Sequence, residues 1–149
     1  MASWQDYLKL LRGLTRTLEE LSQVERDKNA AASAGNLAEV ENCMKREQVL
    51  SLSLRGYDQK RDAMLSALNL KGVNLRNLVE HSPEEYRLET KDVAEKLRQQ
   101  YEVFQAASRA ARNTLEINLR AIERIQAMQA GDSAQAEEER KAHQTDFRA

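Results

Sequence analysis

Over residues 83–130 the chain meets no glycine, and its single proline, Pro83, stands at the first position. Seam residues return there in steps of three, four or, once, seven: Tyr86, Val93, Leu97, Tyr101, Phe104, Ala107 or Ser108, Ala111, Leu115, Leu119, Ile122, Ile125 and Met128. An unbroken helical period over this length predicts one continuous amphipathic helix. At about 1.5 Å per residue, these roughly 48 residues span about 72 Å. Ser82-Pro83-Glu84-Glu85 supplies the start signal, a capping hydroxyl followed by a proline preset for the first turn and acids at the positive end.

Two shorter segments precede it. The first, residues 3–33, opens on Ser3 as an N-cap and carries Trp4, Tyr7, Leu11, Leu14, Leu18 and Leu21 in alternating steps of three and four, widened by Leu8, Leu10 and Val24. Ala34-Gly35-Asn36 then offers Gly at a C′ position and Asn as the next N-cap, with Glu39 completing a capping-box pattern. The second segment, residues 37–68, has a weaker seam: Leu37, Val40, Cys43 or Met44, Leu50, Leu54, Tyr57, Met64, Leu65 and Leu68, with Glu47 and Arg61 at seam-like positions. Gly56 in its middle reads as tolerated, at about 1 kcal/mol against Ala. A connector containing Gly72 includes Leu75, Leu78 and Val79, enough for a short amphipathic helix over residues 74–81.

One proline and five glycines in 149 residues leave too little turn punctuation for a sandwich or barrel. The predicted fold is therefore all-α: an elongated antiparallel three-helix bundle or coiled coil, with a short connector helix and a long C-terminal helix, in one domain over residues 1–131. Residues 132–149 carry Glu137-Glu138-Glu139 and only Phe147 as a large apolar residue, which predicts a mobile polar tail. The first two helices span about 47 Å each, so the third is longer than both. If it starts level with the end of the second, its last fifteen or so residues project past the Gly35 turn and leave an apolar stripe without cover. If instead the 74–81 helix packs beside its first turns, the register shifts and the projection shortens. Both readings stand at this point.

The chemistry of most sites is missing. Lys plus Arg number 23 against 24 Asp plus Glu, a net charge of -1, which removes the counterion-release argument for nucleic acid and the attraction to an acidic membrane surface. No signal peptide and no membrane span is readable, so a cytoplasmic location is expected. His81 and His143 are the only histidines, and the residues three before them, Leu78 and Arg140, exclude the paired Glu-x-x-His of a di-iron bundle. One cysteine, Cys43, permits no intrachain disulfide and no zinc pattern, and reads as a small buried hydrophobe. Neither a phosphate loop nor a nucleophile motif is present, so no enzyme activity, cofactor or metal is expected. The candidate binding residues are Leu115, Leu119, Ile122, Ile125 and Met128, with Asn113 and Asn118 as polar neighbours. Asn118 lies beside the seam, where it either bonds a partner's backbone or fixes register.

The order of these features resembles the FlgN-like flagellar export chaperone family across roughly residues 5–130. The similarity is carried by Ala34-Gly35-Asn36-Leu37-Ala38-Glu39-Val40, by Met44-Lys45-Arg46-Glu47-Gln48 and Asp58-Gln59-Lys60-Arg61-Asp62, by the connector Leu68-Asn69-Leu70-Lys71-Gly72-Val73, and by Arg112-Asn113-Thr114-Leu115-Glu116-Ile117-Asn118-Leu119. Some members carry a Tyr-Gly motif after the last helix; here that region reads Met128-Gln129-Ala130-Gly131-Asp132. The resemblance implies a cytosolic chaperone that holds the terminal helices of hook-associated proteins, the hook–filament junction subunits, and delivers them to the export apparatus. The 115–128 stripe would bind the client, or would close a homodimer. A coiled-coil adaptor or scaffold without a client is the alternative from another class.

Overall fold

The computed structural model describes residues 3–129, except for the side chains of Ile122, Ile125, Gln126 and Gln129; the expected tail at 132–149 lies outside the described residues. Among the described residues the fold is all-α, a bundle of long helices, and no strand is present. Helix α1 (Trp4–Ser33) starts where the Ser3 side chain accepts from the Asp6 amide at 3.1 Å. It ends on Gly35, whose φ of 71° lets the Asn36 amide reach back to the Ala31 carbonyl at 2.9 Å while Gly35 N–H donates to Ala32 at 3.1 Å. That is a Schellman closure, and glycine is the residue that adopts its left-handed position without strain.

Helix α2 (Leu37–Ala67) begins where Asn36 Oδ1 accepts from the Glu39 amide at 3.2 Å. Only half of the expected capping box forms. The Asn36 amide is already committed to Ala31, and the Glu39 carboxylate accepts from the Cys43 thiol at 3.8 Å instead. At the far end of α2, Asn69 takes the left-handed position with φ 59° and Leu70 N–H closes on the Leu65 carbonyl at 2.8 Å.

The connector helix forms where expected, and the departure lies in the start of the helix after it. Leu75–His81 forms a 3-10 helix, capped by the Asn74 side chain, and buries Leu78 in the core. The Ser82 hydroxyl donates backwards to the Val79 carbonyl, so it closes the connector and does not cap the next helix. Pro83 stays extended at φ -55° and ψ 144°, a short 3-10 turn follows at Glu84–Tyr86, and α3 proper runs over Arg87–Gln129. A committed serine and an extended proline delay the helix start by about one turn.

Helix α1 is shared by both partners. It runs antiparallel to α2, with Arg61 Nε donating to the Tyr7 hydroxyl at 3.3 Å near one end and Lys28 Nζ donating to Glu47 Oε2 at 2.6 Å towards the other. It runs parallel to α3, with Trp4 Nε1 donating to Thr90 Oγ1 at 2.9 Å and Gln100 Nε2 to Ser22 Oγ at 3.1 Å. No Cα of α2 comes within 8 Å of a Cα of α3 among the described residues. Tyr7, Leu8, Leu11, Leu14, Leu18 and Leu97 are completely buried between these elements. Tyr57 of α2 lies against α1 at Gly13, where an added Cβ would stand 2.7 Å from the Tyr57 hydroxyl oxygen.

Candidate functional site

Two side chains set where α3 meets the α1–α2 turn. Leu115 is half-buried against Ala31, Ala32 and Val40, small residues that let a leucine seat closely. Three residues on, the Asn118 amide donates to the Ala32 carbonyl at the end of α1. That carbonyl also accepts from the Gly35 N–H of the Schellman closure, so the Asn118 amide is a further donor to it. Asn118 thus bonds the chain's own backbone and, with Leu115, contributes to the register of α3.

The connector packs beside the first turns of α3. Of the two registers the sequence leaves open, this is the one with the shorter projection. α3 draws level with the turn at residues 115–118 and continues to Gln129, about 16 Å further. The projecting stretch therefore starts at Leu119 and not at Leu115. Leu119 is half-buried, Met128 is 82% exposed and Asn113 is exposed. Ile122 and Ile125 are carried on the α3 backbone, and their side chains lie outside the described residues. Ile117, 64% exposed, adds an apolar group on another side of the same turns.

Next to this end, a cleft of about 550 Å³ separates α3 from α1 and α2. Lys28 and Glu47 line it on one side, and Arg112, Leu115, Leu119 and Arg120 on the other. Behind Lys28 lies Glu25, only 2% exposed, with Oε2 3.1 Å from Lys28 Nζ. The angle of that ion pair does not make a hydrogen bond, so Glu25 Oε2 is buried without a hydrogen-bond partner. One ammonium thus serves two carboxylates. Burial, then the contact with Glu47, pushes the Glu25 carboxyl up to about 7 against the pull of Lys28. Burial raises the Glu47 carboxyl as well, but the neighbouring Glu25 and its bond to Lys28 outweigh this and hold it below its ordinary value. Burial would strip the Lys28 proton; the two carboxylates reverse that and raise it.

Sequence reasoning passed over Glu25 and Lys28, although a signal exists. The alternating steps of α1 continue past Leu21 through 25, 28 and 32, placing a Glu and a Lys on the buried seam. Glu47 on α2 is their partner, and Arg61, the other charge on that seam, bonds the Tyr7 hydroxyl. Cys43 is fully buried, and burial pushes its thiol up; the exposed His81 sits on the connector, beyond the opposite end of α2. Among the described residues no group of three His, Cys, Asp or Glu side chains could hold a metal ion, and no helix is long and apolar enough to cross a membrane. A scan against protein-family models finds no match, and searches of curated proteins and of solved structures return none.

Proposed function

We propose that the protein is a cytoplasmic chaperone of flagellar export, which covers the terminal helices of hook-associated proteins and hands them to the export apparatus. The supporting observation is the run of α3 past the point where Asn118 fastens it to α1, ending with Met128 82% exposed. An amphipathic client helix needs its apolar face covered until it assembles, and a projecting amphipathic helix beside an open cleft offers that cover. The resemblance in the order of turn, second-helix and connector motifs is what makes the client flagellar; the geometry by itself supports only a helix-binding role.

A second reading, a self-associating adaptor, draws on Leu37 and Met44, 49% and 48% exposed, seven residues apart on α2 near the same end. Light scattering separates the two. A chaperone mixed with a terminal-helix peptide of a hook-associated protein gains the mass of a defined low-order complex. A scaffold has a fixed higher mass that the peptide leaves unchanged. Leu119→Asp together with Met128→Asp should abolish peptide capture with little change in thermal unfolding. Capture that survives this pair of substitutions, or a peptide that never binds, overturns the proposal.

A further inference from the structure

At the opposite end of the molecule a second groove, about 650 Å³, lies between the connector and α3. Its α3 wall is Lys91, Ala94, Glu95 and Arg98, the i, i+3, i+4, i+7 stripe of two helical turns. Leu75 and Val79 from the connector are half-buried and complete an apolar floor with Ala94. The connector buries Leu78 in the core, 1% exposed, and leaves Leu75 and Val79 half-buried along the groove.

The rim is cationic. Arg76 and Lys91 have no carboxylate within salt-bridge distance among the described residues, while Arg98 is held at 2.9 Å by Glu102. Glu95 is the one carboxylate lining the groove. An open groove two turns long, apolar along its floor and cationic at its edges, has the shape of a seat for a chain segment laid along α3. We infer that this groove docks an acidic amphipathic helical segment of a partner protein, its apolar residues on Leu75, Val79 and Ala94 and its carboxylates on Arg76 and Lys91. The groove is about 35 Å along α3 from Leu119, so it can be occupied independently of the projecting end. It does not depend on the chaperone reading.

The test is an amide-resolved NMR titration of the full chain. The probe is a helical peptide of about twelve residues with Leu at one face and Glu beside it, compared with the same peptide carrying Lys in place of Glu. Saturable shifts confined to residues 74–79 and 91–98 are expected with the Glu peptide, weakening several-fold between about 50 and 300 mM NaCl. Arg76→Glu with Lys91→Glu, both exposed positions, should lower the affinity at least about tenfold without moving the melting temperature. Leu119→Asp should leave the titration unchanged. Equal binding of the Lys peptide, or binding insensitive to the double substitution, overturns the inference. So do shifts that appear on concentrating the free chain, which make a second copy the occupant, and binding of phosphatidylglycerol vesicles in place of the peptide.

Discussion

Helices α1 and α2 have 30 and 31 residues, yet sixteen positions of α1 are buried against three of α2. Both have helix-forming composition, clean caps and apolar residues at helical spacing. The difference lies in coverage. α1 is gripped on one side by α2 and on another by α3, so its whole apolar stripe is enclosed. α2 packs along α1, meets α3 through the Leu115 contact with Val40, and leaves Val49 and Leu52 65% and 64% exposed. Periodicity makes a helix amphipathic; the number of neighbours decides how much of it leaves water.

The largest break in that comparison comes from truncating equivalent leucines. Leu14→Ala on α1, at a fully buried site, should cost about 3–5 kcal/mol in urea unfolding. Leu52→Ala on α2 should cost less than about 0.5 kcal/mol. Equal losses would mean that α2 is covered in solution by something the isolated chain does not supply.

The contact where the two helices exchange charge gives the next effect. A Glu25 carboxyl raised from its ordinary 4.5 to about 7 holds its proton more tightly folded than unfolded. Its contribution to stability is full below 4.5 and is lost as pH climbs through 7. Glu47, held low, works the other way and protects the fold as pH rises. Glu25→Gln keeps the shape and removes the surplus charge, leaving Lys28 to Glu47 alone. The variant should exceed the parent by about 2 kcal/mol at pH 8 and match it near pH 4.5. A parent whose melting temperature is flat from pH 5 to 8 would place Glu25 in a wetter setting.

The smallest effect sharpens the comparison by sign. Gly13→Ala on α1 drives a methyl into Tyr57, and overpacking outweighs the helix-propensity gain to leave a loss of about 1 kcal/mol. Gly56→Ala on α2 meets nothing within 4 Å and should stabilise by up to about 1 kcal/mol. Thermal melts of both variants check this, and a gain at Gly13 would show that Tyr57 swings aside freely.

Much of the fold was legible because its signals are local. Ser3, Gly35 and Asn36 each act within a turn of their own position, and the helix bounds follow them closely. Glycine was harder. Gly56, read as tolerated, has nothing within 4 Å of an added Cβ, while Gly13 faces an aromatic 44 positions away in sequence. The candidate site was legible in part. The stripe on α3 was visible, but the engagement of Leu115 and Asn118 with the α1–α2 turn depends on a register that no residue of α3 sets by itself.

The sequence by itself determined three long helices and the Gly35 turn, since caps and period need no distant neighbour. Tertiary structure alone decided three things: that α1 serves both partners, that Lys28 stands between Glu25 and Glu47, and how far α3 projects. The reason is physical. Each follows from the sliding position of one helix along another, which is set by summed side-chain packing and by single long-range bonds such as Asn118 to Ala32. A helical period repeats every turn, so it offers many such positions and selects none of them.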